Sequence, residues 1–409
     1  MSIYPTVRPE LTLDFQKSKQ LDPRILFSRP QATNQATYIE GGVVKYADEH
    51  EARFEDEGLL LEEQRSNEVI DNNQLLDVTS NGSPSTTVGP DGQSNSATRI
   101  TATSSGTVEF RNATNRSITW SSNTQTTWSF YFKPSNLTSQ TISASAVNGA
   151  GQGGAEFNCA TLTATLTGSS SKPREAADII PVGNGWFRCW IRYNNTLNPT
   201  VGARFAFNAF EATASDYFDV CFLQVEEGSF PTSYIPTSGS ESTRAADIAT
   251  ITGDNFNSWF NQSESTLFVN MSAQKVQGYS VLWNIANRID GFAGYVPYEG
   301  LIYFNDGTTD KYIGFGGTGE ARWIANVPSK CAYSWNFDDG TGSVSLDQKP
   351  LLTEANGSNG IPVPSFSARN LFSFTFLGQN GQTKNTGHIA RMTYYPRRLS
   401  NSELEALTI

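Results

Sequence analysis

Groups suited to catalysis are scarce in this chain. Its 409 residues include two histidines, His50 and His388, and four cysteines, Cys159, Cys189, Cys221 and Cys331. Imidazole titrates near neutrality and is the commonest metal ligand, so two copies far apart in sequence offer little acid–base or metal chemistry. His388 begins the strand-like run Gly387-His388-Ile389-Ala390-Arg391-Met392. No G-x-S-x-G element accompanies it, so the sequence predicts a hydrogen-bonded structural histidine rather than a triad member. Cys189 and Cys221 fall inside apolar runs and read as small buried hydrophobes, and the four spacings suit neither a disulfide framework nor a zinc knuckle. Glycoside hydrolysis needs two carboxylates facing one bond. Glu226 and Glu227 are adjacent and point to opposite sides of a strand, while Asp338-Asp339-Gly340 reads as a hairpin turn. The sequence therefore assigns no catalytic residue, no metal ligand and no cofactor. A calcium loop of the D-x-[DN]-x-[DN]-G kind is absent, although calcium sites assembled from distant loops leave no local signature.

Binding chemistry is better represented. In Trp186-Phe187-Arg188-Cys189-Trp190-Ile191-Arg192-Tyr193, a period of two puts Phe187, Cys189, Ile191 and Tyr193 on a core face. Trp186, Arg188, Trp190 and Arg192 then share the opposite face. Indoles stack on sugar C–H surfaces and guanidinium groups donate to hydroxyls, so these four residues are the candidate glycan-binding face. A second reading has this face packed on a loop or subunit, with arginine stems covering the indoles. Trp283, Trp323 and Trp335 lie in apolar runs and are assigned to a core.

The elements needed to hold such a face are β-strands. Hydrophobic residues make up 37% of the chain and the net charge is −11, a globular composition that disfavours nucleic-acid binding. No apolar run has the 18–20 residues or so of a membrane span, and the start lacks a signal-peptide pattern, so neither membrane insertion nor secretion is expected. Charge is uneven: 20 of the first 65 residues are charged, against 49 of the other 344. Residues 1–65 also carry Pro5, Pro9, Pro23 and Pro30, and one hairpin around Gly41-Gly42. They are read as a docking arm, with Leu11, Leu13, Phe15, Ile25, Leu26 and Phe27 as anchoring or oligomerisation residues because nothing nearby covers them. Leu59-Leu60-Leu61 is expected to enter the sandwich that follows.

Residues 66–238 show short Val/Ile/Phe/Tyr/Trp/Thr runs between Ser/Asn/Gly clusters, the pattern of a β-sandwich, with 79–97 a loop by composition. Pro231 and Pro236 mark a junction. Residues 239–409 repeat the pattern as a second sandwich. A turn or two of helix capped by Asp254 is expected there, and a final helix opened by the capping box Ser400-Asn401-Ser402-Glu403. The expected fold class is all-β: two tandem antiparallel β-sandwiches of jelly-roll type behind an extended arm.

Several strings carry a resemblance. Residues 21–67, ending in GLLLEEQRSN, are similar to the N-terminal stretch of many tailed-bacteriophage structural proteins. GNGWFRCWIRY (183–193), with the segment 216–247 containing EEGSFPTSYIPT (226–237), resembles a sandwich module of the same proteins that is similar in pattern to carbohydrate-binding modules. The block from Glu264 to Thr408 looks like a concanavalin A-like or laminin-G-like domain. The resemblance implies a non-enzymatic virion protein, made in the bacterial cytoplasm, that acts as a tail fibre or surface appendage in host adhesion. Its implied partners are other virion proteins, further copies of itself in a trimer, and host-surface polysaccharide. Capsid decoration or a tail-structural role without a ligand is the alternative, and a polysaccharide-degrading enzyme a third.

Overall fold

The computed structural model describes residues 5–31, 35–70, 77–112, 117–119, 124–146, 153–168, 174–194, 200–202, 205–274, 280–286, 291–296, 301–305, 310–313, 324–347, 352–353, 373–379, 382–383 and 385–409. Among these the regular secondary structure is nearly all strand, in antiparallel sheets that form two sandwich-like units. The units interleave in sequence. One comprises 1–30, 49–63 and 245–409, and the other 31–48 and 64–244.

In the 31–48/64–244 unit one six-stranded sheet runs in the order Arg174–Gly183, Trp186–Asn194, Gln125–Lys133, Tyr217–Glu227, Ala97–Ala102, Gly82–Thr87. The second has the order Thr163–Gly168, Gly153–Asn158, Thr141–Ala146, Phe205–Ala212, Gly106–Arg111, Asp77–Ser80. Alternate residues from both sheets meet in one core, where Trp128 and Phe130 set their edges against Phe205. Gln125–Lys133 is buried on both faces at its centre, which identifies it as a middle strand whose outer face is also covered. Gly82–Thr87 corrects the expectation of a loop over 79–97. Its polar side chains have no apolar alternation to betray it, but it pairs along Ala97–Ala102 as an edge strand.

In the other unit the strands are joined in the order Leu352–Thr353, Thr341–Leu346, Ser329–Asn336, Glu264–Met271, Gly387–Tyr395, Gly58–Leu61, Arg53–Glu55. Leu11–Asp14 pairs with the far half of Gly387–Tyr395. The opposing sheet begins with Leu26–Ser28 and Ile248–Thr252 and continues through Ser373–Phe376 and Ser280–Ala286. Trp283 and Trp335 lie fully buried between the sheets, as expected, while Trp323 is outside the described residues. The helix Asn401–Leu407 opens on the expected capping box, whereas the short helix Asp254–Asn257 is capped by Gly253 without a side-chain bond, not by Asp254.

The docking arm of residues 1–65 does not exist as a separate body. Leu11, Leu13, Phe15 and Ile25 are buried in the 1–30/49–63/245–409 core, with Phe27 packed against it. Leu26, on the other face of its short strand, is exposed. The missing partner for these residues is the chain's own C-terminal region, hundreds of residues away, which local pattern does not reveal. Leu59–Leu61 likewise pairs with Gly387–Ile389, not with the sandwich next to it in sequence. The junction expected after Pro231 and Pro236 falls between Arg244 and Ala245, while the proline segment itself is packed, with Thr232, Tyr234 and Ile235 buried.

Candidate functional site

The alternation expected for Trp186–Asn194 is present: Cys189, Ile191 and Tyr193 enter the core of the 31–48/64–244 unit, with Phe187 packed at its margin. The opposite face is largely covered. Trp186 lies in a second apolar cluster with Val44, Tyr131, Cys221, Phe222 and Tyr234. The cover is the hairpin Ala36–Glu40/Val43–Ala47 together with the segment around Tyr234. The hairpin tip is pinned where Asn184 Nδ2 donates to Gly42 O at 3.1 Å. Gly183, at φ +128°, lies so close that a Cβ would sit 2.4 Å from Gly42 Cα, so the contact needs glycine there. Arg188 is buried, donates to Ser129 Oγ at 3.0 Å and lies 5.6 Å from the Tyr131 ring centroid. Trp186 and Arg188 are thus packing residues, which corrects half of the candidate glycan face.

Trp190 and Arg192 are only partly buried. In the register Trp190 stands opposite Asp178 on one side and Ser129 on the other. Beyond it, Arg192 pairs with Glu175 at 3.0 Å and donates to Ser229 O at 3.2 Å. Asn194 Nδ2 donates to the other Glu175 oxygen at 2.7 Å, and Gln125 faces Asn194 across the ladder. The outer face at this end is therefore one indole beside a row of amide, carboxylate and guanidinium groups. Glu175, Asp178 and Gln125 were not legible as part of it, because they come from neighbouring strands, with Glu175 at an irregular point of the register, whereas Asn194 continues the face of Trp190 and Arg192 on the same strand.

The strings that carried the family resemblance build scaffold. Asn67 Nδ2 donates to the carbonyls of Leu223 and Ile235, and its Oδ1 accepts from Val69 and Val225. Glu226 accepts from the Thr232 backbone and hydroxyl and from Gln224. Arg244 donates to Thr232 and Ser233, and Arg65 lies 5.2 Å from the Phe230 ring centroid. In the other unit, Asp247 holds both Arg29 (2.9 Å) and Arg53 (2.5 Å), and Arg53 also binds Glu62 at 2.7 Å, all buried. Burial works against the charge on Arg53, but Asp247 and Glu62 outweigh it and raise its pKa. Asp339 accepts from Thr341 in its turn, as expected for a structural carboxylate. All four cysteines are free and buried, and burial pushes the Cys159 thiol up to about 12.

One cluster escaped sequence reasoning. His388 Nε2 lies 2.7 Å from Glu55 Oε2, a pair separated by 333 positions in the chain. Across the sheet Glu55 stands opposite Gly58, and His388 opposite Leu60. With no side chain at Gly58, the Glu55 carboxylate reaches over that strand to the imidazole. Gly58 is also required sterically: at φ +126°, a Cβ there would lie 2.2 Å from Ile389 O. Burial alone would lower the His388 pKa, but the Glu55 hydrogen bond and the charges of Glu55, Glu57 and Glu62 hold it above the usual imidazole range. The expectation of a hydrogen-bonded His388 is met. Its partner was invisible because nothing local links the two segments.

No family model matches the sequence, and no curated protein matches it. Among solved structures, the chain is similar to the CBM40 of Ruminococcus gnavus IT-sialidase bound to α2,3 sialyllactose, at 15% identity and a TM-score of 0.30, over 36% of this chain and 83% of that one. A NanB sialidase K499G mutant from Streptococcus pneumoniae matches at 12% identity and a TM-score of 0.31, over 39% of this chain and 26% of that one. A structure of botulinum neurotoxin type C, whose cell entry depends on interaction with two ganglioside molecules, gives 12% and 0.30, over 40% and 39% of the two chains. Sandwiches share architecture widely without sequence similarity, so the functional argument rests on this chain's own residues.

Proposed function

We propose that this chain is a non-catalytic adhesion protein whose 31–48/64–244 sandwich binds glycan at Trp190. The observation that carries this reading is the partly buried Trp190 on an outer sheet face, flanked by Asp178, Arg192, Glu175 and Asn194. An indole offers a flat apolar surface for a sugar ring, and the adjoining donors and acceptors suit its hydroxyls. The carboxylates singled out in the sequence support a non-catalytic reading, because Glu226 and Asp339 are engaged in local structure. The resemblance of GLLLEEQRSN and EEGSFPTSYIPT to tailed-phage structural proteins supports a virion setting, as a tail fibre or surface appendage facing host polysaccharide. The test is binding of the full chain to host-surface polysaccharide by calorimetry, for wild type and Trp190→Ala. Saturable binding that weakens at least tenfold in the variant, with the melting temperature retained, is expected. Binding unchanged by Trp190→Ala overturns the site.

The covered state of Trp186 and Arg188 favours a second reading: a capsid-surface or tail-structural protein that takes no ligand. No saturable binding to any host polysaccharide, with particles lacking the protein still adsorbing normally, is its signature.

A further inference from the structure

The Glu55–His388 pair lies beside a third group. The ligand atoms of Glu55, Glu57 and His388 all fall within 4.8 Å of one another. Glu57 and His388 also line a cavity of about 280 Å³, whose wall includes Gln16, Asp56, Asn270 and Ser272. That volume is several times the roughly 30 Å³ share of one water. From these two observations we propose that Glu55, Glu57 and His388 form a binding site for a divalent transition-metal cation of the zinc type.

An imidazolium–carboxylate ion pair explains Glu55 and His388 but leaves the convergence of Glu57 without a function. Two carboxylates facing one imidazole leave a net negative charge even when the ring is protonated. Among the described residues, the Lys19 ammonium is engaged on the Glu55 carbonyl and on Asp56 at 3.4 Å. A divalent cation resolves the imbalance. It displaces the shared proton from His388 Nε2, takes that nitrogen and one oxygen from each glutamate, and releases the proton to solvent.

The donor set selects the metal. Imidazole nitrogen with carboxylate oxygen suits Zn²⁺ and its first-row neighbours, whereas Ca²⁺ and Mg²⁺ favour oxygen alone. Glu55 and His388 are fixed by paired strands, while Glu57 is exposed on the turn between Arg53–Glu55 and Gly58–Leu61 and supplies the closing movement. Three protein ligands leave at least one coordination position open, as in catalytic zinc sites, and the cavity is where it opens. The site is independent of Trp190, which belongs to the other unit.

The test is calorimetric titration of the EDTA-stripped full chain with zinc chloride, alongside Glu57→Gln, His388→Asn and His50→Asn. One equivalent of zinc should bind to wild type and to His50→Asn. Loss of an outer-shell partner alone costs a metal site about 10–100-fold in affinity, so losing the direct ligand in Glu57→Gln should cost at least that much, with a larger loss in His388→Asn. Zinc should also raise the melting temperature of wild type more than that of Glu57→Gln, since binding to the folded state alone stabilises it. Glu57 is exposed, so its variant decides the matter even if His388→Asn does not fold. Absence of saturable binding in wild type, or equal affinity in wild type and Glu57→Gln, overturns the site.

Discussion

Trp186 and Trp190 occupy the same face of one strand, four residues apart, yet their environments differ. Trp186 is 3% exposed and packed under the hairpin, while Trp190 looks outward beside Asp178. Trp186→Ala should therefore cost about 3–5 kcal/mol of stability, as truncations of buried aromatics do. Trp190→Ala should cost a small fraction of that, and parallel denaturant melts of the two variants measure the contrast. Equal losses would place Trp190 in the core and remove the proposed platform. Asp247 offers a sharper case, because it neutralises two buried guanidinium groups at once. Asp247→Asn removes the carboxylate charge that both Arg29 and Arg53 bind. Breaking a buried ion pair in this way costs about 3–5 kcal/mol, read as a fall in denaturant midpoint. What sequence pattern revealed was the division of 186–193 into two faces, because period two is a local property. Which face would be covered depended on the hairpin at 36–47 and on Tyr234, and neither is local to the strand.

The capping box of the last helix has a pH dependence of known sign. Burial would raise the Glu403 carboxyl, but its bonds to Ser400 and the nearby Arg397 guanidinium hold it below the usual carboxylate range. Asp22 is lowered in the same direction, chiefly by its side-chain bond to Arg24. A depressed folded-state pKa contributes stability that is present above the unfolded-state value, near 4.3 for glutamate and 3.9 for aspartate. That contribution is lost as pH falls through the folded-state value. Thermal melts should therefore shift downward below about pH 4, and Ser400→Ala should shrink the Glu403 part of the shift while costing about 1 kcal/mol at neutral pH. An acid shift unchanged in Ser400→Ala would show that the capping box does not set it. This helix was legible from sequence because a capping box is confined to four consecutive residues. Gly82–Thr87 was not, because a polar edge strand carries no hydrophobic period and takes its conformation from its neighbour.

The interleaving of the two units changes what fragments of the chain can do. A sequence divided at its prolines suggests that residues 245–409 form a sandwich alone and that residues 1–35 are dispensable for folding. In the structure, Gly387–Tyr395 is paired along one edge by Leu11–Asp14 and Gly58–Leu61, and Leu11, Leu13, Phe15, Leu59 and Leu61 fill its core. A fragment of 245–409 lacks all of these. It exposes a central strand edge and loses five buried side chains, each worth about 1.5–3 kcal/mol of burial. Those losses together match or exceed the 5–15 kcal/mol or so that holds a typical domain folded. The fragment should therefore aggregate or show no cooperative thermal transition. The full chain without residues 1–20 should melt lower than wild type, because the pairing of Leu11–Asp14 and the burial of Phe15 are gone. Residues 64–244 are the opposite case. Both large sheets of their sandwich lie within that span, and only the hairpin at 36–47 is left out. This fragment should melt cooperatively at reduced stability, with Trp186 uncovered and its fluorescence shifted to the red. Adding residues 31–48 back through a linker should restore the blue-shifted emission. A cooperative native-like melt for 245–409, or none for 64–244, would mean that the interleaved segments do not hold the units together as these pairings require.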